Sequence, residues 1–149
     1  MTTASRSKAP TATRPRKPLP PISAHSPLAH FRADAETIAR FAELYLAPPG
    51  LVHAMRLQCA TRVQRIAPKE AQDILRHLEL ETSFFQGDIK DLEDLGRPVV
   101  AVMEHGIYLI VLMVDQRIVI AQSGVDKHPL TMKRTDFDRL WTQGWIARA

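Results

Sequence analysis

The sequence lacks most of what secreted and membrane-spanning proteins need. It holds one cysteine, Cys59, in 149 residues, so no disulfide can form within the chain, and this fits a reducing compartment. Its longest apolar run, at 107–114, is far shorter than the roughly 20 residues that a transmembrane helix requires. The N-terminal segment also lacks the apolar stretch of a secretory signal peptide. We therefore predict a cytoplasmic location.

Several signatures of chemistry are also missing. The chain contains no glycine-rich phosphate loop, no paired-cysteine zinc motif and no strand–Ser–helix elbow. None of its six histidines is paired at the i, i+4 spacing of a metalloprotease helix. We predict neither a metal site nor a cofactor.

Cys59 is the one cysteine whose thiol could act as a catalytic nucleophile. A reactive thiolate is favoured at a helix N-terminus or beside a cation. Cys59 instead falls late in a predicted helix, where the helix dipole opposes a thiolate, although Arg56 and Arg62 are each three residues away. We predict a buried structural cysteine, with a Cys59-dependent peptidase as the alternative.

The positive net charge belongs to the N-terminal segment. Residues 1–32 contain six basic and no acidic residues, whereas the rest of the chain has 14 basic and 16 acidic residues. Six of the eleven prolines lie in the same segment, whose composition cannot bury enough apolar surface to offset its ordering entropy. We predict a disordered tail at 1–26 and one domain at 27–149. Contact of the tail with an anionic membrane, or a regulatory role for it, stays an alternative, and no nucleic-acid partner is expected.

Helical and then extended patterns divide the predicted domain. Apolar spacing predicts helices at 33–46, with Asp34 as N-cap, at 51–59, and from Pro68 onward. The run at 108–114 is apolar on both faces and predicts a central strand covered on each side. The layout is α+β, with helices packed on an antiparallel sheet. The other predicted elements are strands at 80–85, 99–103, 117–122 and 145–147, a helical turn at 88–95, and a final helix capped by Thr135.

An ordered series of motifs occupies residues 97–144. A strand that follows Pro98 comes first, the segments 106–112 and 117–124 follow, and the series closes with TDFDRLWTQG at 135–144. Together with HLELE at 77–81, this series resembles the N-terminal peptidase domain of bacterial ABC exporters, the papain-like domain that removes double-glycine leaders. The resemblance implies a papain-like fold over about 33–149.

The resemblance also implies where catalytic groups would stand. Active members place a cysteine at the start of the first long helix, a histidine at the start of the central strand and an aspartate at the end of the next strand. The matching positions are Ala33, Ile107 or Tyr108, and Ser123, and none carries the required group. This implies a degenerate domain that is not an enzyme, as found on type I secretion exporters.

In that branch of the family the domain is implied to dock the exported polypeptide beside the transmembrane and ATPase parts of the transporter, at the inner membrane. We accordingly predict binding of an unfolded or repeat-containing (RTX or adhesin) export substrate. The groove between the first helix and strand 108–114 would hold it, and the predicted substrate-binding residues are Met103, Ile107, Tyr108 and Ser123. An active cysteine peptidase that cleaves leader peptides is the alternative.

Overall fold

Three helices come first along the chain, as the apolar spacing predicts. The computed structural model describes residues 27–60 and 65–149, with side chains from residue 34 onward, so the predicted tail at 1–26 lies outside the described residues. The helices are α1 (Pro27–Leu44), α2 (Pro49–Cys59) and α3 (Pro68–His77). All three begin on a proline, whose fixed φ and missing N–H suit the first turn of a helix.

The predicted start of α1 is wrong. The helix begins at Pro27 and not at Ala33, so Asp34 lies inside the helix and cannot be its N-cap. Asp34 is instead buried and accepts hydrogen bonds from Arg65. A tertiary contact of this kind leaves no trace in the local pattern from which a cap is read.

The second half of the chain forms a six-stranded sheet in which every pair of neighbours is antiparallel. The order of the strands is β1-β6-β2-β3-β4-β5. The last strand therefore returns to lie between the first two and leaves β1 at one edge. The strands are β1 (Thr82–Gln86), β2 (Val99–Met103), β3 (Tyr108–Val114), β4 (Ile118–Gln122), β5 (Leu130–Lys133) and β6 (Trp141–Arg148), with the short helices α4 (Ile89–Leu95) and α5 (Arg134–Leu140) between them.

The strands and the helix at the C-terminal end differ most from the prediction. β5 was not predicted, because it is an edge strand of four residues, too short for its alternation to stand out, and it is mostly exposed. β6 is longer than the predicted 145–147, since it starts directly at the end of α5. Thr135 is not the cap of α5, which begins at Arg134 and has no side-chain cap. β2 is the strand buried along its whole length, whereas β3 exposes Met113.

Two apolar clusters lie on opposite faces of the sheet. Alternate side chains of each strand point to opposite faces, so Val100 and Val102 enter the first cluster whereas Ala101 and Met103 enter the second. The first cluster packs under α1, α2 and α3, and the second under α4 and α5. The helices and the antiparallel sheet confirm the predicted α+β class. None of the described helices is long and apolar enough to cross a membrane.

The loop after β4 is anchored directly to α1. The backbone N–H of Gly124 donates a hydrogen bond to Thr37 Oγ1 at 2.8 Å. A Cβ at Gly124 would lie 2.7 Å from the carbonyl carbon of Glu36 and closer still to the backbone of Thr37. Because these neighbours are helix backbone, they cannot move aside, and only glycine allows this approach.

We expect Gly124→Ala to lower the free energy of unfolding by about 2 kcal/mol, since the methyl group would push the loop off α1. Gly50→Ala is the matched control, because a Cβ at Gly50 meets nothing within 4 Å and alanine suits the first turn of α2. Urea denaturation of both variants measures the difference. Equal stability of the two variants would contradict the proposed contact.

Candidate functional site

Three elements meet at one end of the sheet: α1, the start of β3 and the loop after β4. Tyr108 is the first residue of β3, Ser123 directly follows β4, and Ala33 is a residue of α1. α1 contacts β3, and Gly124 joins the loop to α1. The structure therefore brings together the elements to which the sequence assigns its candidate positions. The side chain of Ala33 lies outside the described residues.

A buried ion pair joins α1 to two neighbouring segments. The Asp34 side chain is only 3% exposed, and Arg65 Nε donates to its Oδ2 at 2.8 Å. Arg65 Nη2 donates to Asp34 Oδ1 at 3.3 Å and to the carbonyl oxygen of Gly106 at 2.9 Å. The same guanidinium group thus links α1, the segment before α3 and the turn between β2 and β3.

Tyr108 supports this junction from inside the fold. It is buried, and its hydroxyl donates a 2.5 Å hydrogen bond to the carbonyl oxygen of Ile66. Burial, with a further contribution from the negative charge of Asp34, raises the pKa of Tyr108 above its ordinary value of 10.0. The phenol therefore stays neutral and serves as a fixed donor to the Ile66 carbonyl.

An open cavity of about 290 Å³ adjoins the junction, and we call it the α1 cavity. Two carboxylates hold the guanidinium of Arg56 at its wall: Nη2 lies 2.6 Å from Glu36 and Nη1 lies 3.0 Å from Glu43. The hydrogen bonds to Glu43 and to Glu36 raise the pKa of Arg56, which therefore stays charged at every accessible pH. The residues that line the cavity are Ala35, Glu36, Arg56, Cys59, Ala60 and Val125.

Cys59 is the last residue of α2 and is buried in the first apolar cluster, as predicted for a structural cysteine. It also contributes to the wall of the α1 cavity, which the sequence does not indicate. Its position at the C-terminal end of a helix places it where the dipole disfavours a thiolate.

The predicted substrate-binding residues are not all on one face. Ile107 is 39% exposed, and Ser123 is half-buried with its hydroxyl donating to Asp126 Oδ2 at 2.8 Å. Met103 is buried in the second cluster, on the opposite face of the sheet from Tyr108. A register shift between Val102 and Met103 accompanies this placement. The structure therefore does not bring Met103 together with the other three residues.

Arg65 and Gly124 are the residues that sequence reasoning missed. Arg65 reaches Asp34 across 31 positions of the chain, and nothing in its local sequence marks that contact. Gly124 does carry a signal, because it lies two residues after the end of β4 and glycine is the usual residue where backbone must approach closely.

The fold and its junction define a papain-like domain, with α1 packed against the end of an antiparallel sheet. The model of the peptidase C39 family matches residues 51–149. The chain belongs to the peptidase C39 family.

Solved structures of peptidase domains of transporters share this fold. One is a double glycine motif protease from an AMS/PCAT transporter in complex with the leader peptide, at 16% identity and a TM-score of 0.63, covering 76% of this chain and 81% of that one. The peptidase domain of Streptococcus ComA has 19% identity and a TM-score of 0.65, covering 79% and 91%. The peptidase C39 like domain of a Vibrio parahaemolyticus toxin secretion ATP-binding protein has 11% identity and a TM-score of 0.60, covering 78% and 97%. No match was found among curated proteins.

The family membership corrects the prediction that the chain is not an enzyme. That prediction is wrong, because the family is a peptidase family and the structures of similar fold include a double glycine motif protease and the ComA peptidase domain. It rested on catalytic positions counted along the sequence, with Ala33 at the start of the first long helix. Because α1 begins at Pro27, Ala33 is not the first residue of the helix, and the catalytic positions were counted from the wrong residue.

Tyr108→Phe should cost about 1 kcal/mol of unfolding free energy at neutral pH, because it leaves the carbonyl oxygen of Ile66 without its donor. A raised pKa in the folded state also means that the unfolded chain loses this proton first, so the wild type loses stability as the pH rises above about 10. The variant lacks that contribution, so the difference in unfolding free energy between the wild type and Tyr108→Phe should become smaller between about pH 9.5 and pH 11. Urea denaturation across this range measures it, and a constant gap would refute the assignment.

Proposed function

We propose that this domain binds an extended segment of a polypeptide that an ABC transporter exports, at the α1 cavity and the junction beside it. The observation that supports this is an open cavity at the meeting point of α1, α2 and the loop after β4, with Val125 66% exposed at its wall. Ile107, next to Tyr108 at the start of β3, is a second exposed apolar side chain of the junction. Exposed apolar residues around a concave site favour contact with a partner.

The size and lining of the cavity limit the kinds of ligand that fit it. About 290 Å³ is at the lower end of the range for small-molecule pockets, which favours one or two side chains of a passing chain. The apolar part of the wall comes from Ala35, Cys59, Ala60 and Val125. The ionic part is Arg56, which Glu36 and Glu43 hold, and Arg40 lies 3.7 Å from Glu36, so the charges of the two arginines and two glutamates balance. An apolar side chain followed by an uncharged residue fits both parts.

The transporter context comes from the structures of similar fold. One of them holds a leader peptide, and another is the peptidase domain of a bi-functional ABC transporter. We extend this context to the present chain as part of the proposal, including a tether to the membrane through the transporter. The substrate is either a leader peptide or an unfolded, repeat-containing polypeptide of the type I secretion kind, and the two are compared directly below.

Val125→Asp should weaken binding of the exported polypeptide at least tenfold, since a carboxylate would enter the apolar part of a wall that Glu36 also lines. Leu140→Asp is the matched control, because Leu140 is 48% exposed on α5, whose helix packs on the opposite face of the sheet. Titration of fluorescent peptides into each protein gives Kd for a double-glycine leader and for a C-terminal fragment of an RTX protein. Equal losses in both variants, or no binding of either peptide, would refute the α1 cavity as the binding site.

Peptide hydrolysis is the second candidate function, favoured by the family and by the thiol of Cys59 at the cavity wall. If this thiol attacks the carbonyl carbon of the peptide bond and the amine leaves, Cys59→Ala should abolish cleavage of a leader peptide that the variant still binds measurably. Cleavage is followed by mass spectrometry, with Val125→Asp as the variant that loses binding. Cleavage that persists in Cys59→Ala would assign the reaction to another group.

A further inference from the structure

The open edge of the sheet at β1 is a second surface with the features of a peptide-binding site. β1 pairs with β6 on one side, and no strand pairs with its other side in the described part of the chain. Exposure rises along the strand, from half-buried Thr82 and Ser83, near α3, to exposed Phe84, Phe85 and Gln86. The second half of β1 is therefore open to a partner.

The register of β1 against β6 identifies the backbone groups that face outward. Glu81 accepts a hydrogen bond from the N–H of Ala149, and Gly87 donates one to Gln143, each at 3.0 Å. Both bonds belong to one unbroken register, in which bonded and non-bonded pairs alternate. The residues between the bonded ones, Phe84 and Gln86 among them, direct their N–H and C=O groups away from β6. Two donors and two acceptors thus line the open edge.

Two aromatic rings flank these backbone groups, one on each face of the strand. Phe84 is 40% exposed, and its ring lies across Gly144, where a Cβ would stand 2.6 Å from Cζ. Phe85 is 41% exposed and stacks on Trp145 with ring centroids 5.8 Å apart. Because both rings already rest on the sheet, a partner could cover them without first ordering them.

The surroundings of the edge are strongly acidic. Lys90 is the only basic residue between positions 79 and 94, and it lies 3.8 Å from Asp94. Asp88 and Asp91 hold each other through a capping box at the start of α4, immediately after β1. The exposed acidic residues of this segment are Glu79, Glu81, Asp88, Asp91 and Asp94.

We propose that β1 binds a basic, extended peptide segment of a partner by strand addition, separately from the α1 cavity. The unpaired backbone groups supply main-chain hydrogen bonds, Phe84 and Phe85 supply apolar contact, and the acidic rim selects lysine and arginine.

Two other occupants fit less well. A second copy of the chain, paired edge to edge, would bring two acidic rims together, and like charges so placed are destabilising. The N-terminal segment of the same chain is basic, but its most basic part, 14–21, has prolines at both odd and even positions, namely Pro15, Pro18, Pro20 and Pro21. A strand with prolines on both sides cannot donate a continuous ladder of hydrogen bonds.

The test uses the full chain and an acetylated, amidated heptapeptide of alternating lysine and valine. We expect binding with slower hydrogen exchange of the Phe84 and Gln86 amides, measured by NMR. Gln86→Pro should weaken Kd at least fivefold, since it removes an outward N–H but no bond to β6. Gln86→Ala, the matched control, keeps that N–H and should stay within about twofold.

A backbone-methylated version of the peptide separates strand addition from simple charge attraction and does not depend on the folding of any variant. Methyl groups on alternate amides preserve the charge but block the ladder, and we expect at least tenfold weaker binding by wild-type protein. Equal binding of the methylated peptide would overturn the proposal. So would amides of Phe84 and Gln86 that are already protected in the free chain, because its own residues would then occupy the edge.

Discussion

The carboxylate of Asp34, almost fully removed from water, lies where the candidate site is assembled. A buried charge is tolerated only when it is paired and hydrogen-bonded, and Arg65 meets that requirement with two of its nitrogens. The position of Arg65 in turn fixes the carbonyl of Gly106 and so the entry to β3. Tyr108 holds the adjoining segment through Ile66. The entry to β3 and the segment before α3 therefore depend on this one pair, whereas the contact of Gly124 with Thr37 attaches the loop after β4 to α1 separately.

The order of the strands explains why the molecule offers two separate surfaces. Because β6 lies between β1 and β2, β1 is left at the edge with Phe84 and Phe85 exposed. The α1 cavity lies on the face that carries the first three helices, where Gly124 lets the loop after β4 approach α1. The first surface offers backbone groups and an acidic rim, and the second offers a cavity for side chains. Two such surfaces suit a domain that handles long, extended polypeptides.

Membership of the peptidase C39 family and the local chemistry of the junction provide different kinds of information. The family match shows descent from a class of peptidases over residues 51–149, most of the chain. The described junction is built from the Asp34–Arg65 ion pair, the Tyr108 phenol bonded to a backbone carbonyl, and two hydroxyl groups bonded to Asp126 and to the backbone N–H of Gly124. The thiol of Cys59 stands apart from them in the wall of the α1 cavity. The proposed binding depends on the cavity wall around Val125, whereas the proposed cleavage depends on the thiol of Cys59. Substitutions at these two residues therefore test the two functions separately.

The sequence by itself determined the class of fold and most of its elements. Val99–Met103 and Tyr108–Val114 are strands as predicted, because alternating and continuous apolar runs reflect local burial that a short segment records. The ordered motifs from 97 to 144 were enough to indicate the family, which the comparison confirms. The start of α1, the edge strand β5 and the placement of Met103 escaped prediction. Only the tertiary structure decided these, together with the Asp34–Arg65 pair and the Gly124 contact, because each depends on residues that meet across the fold and leave no periodic signal along the chain.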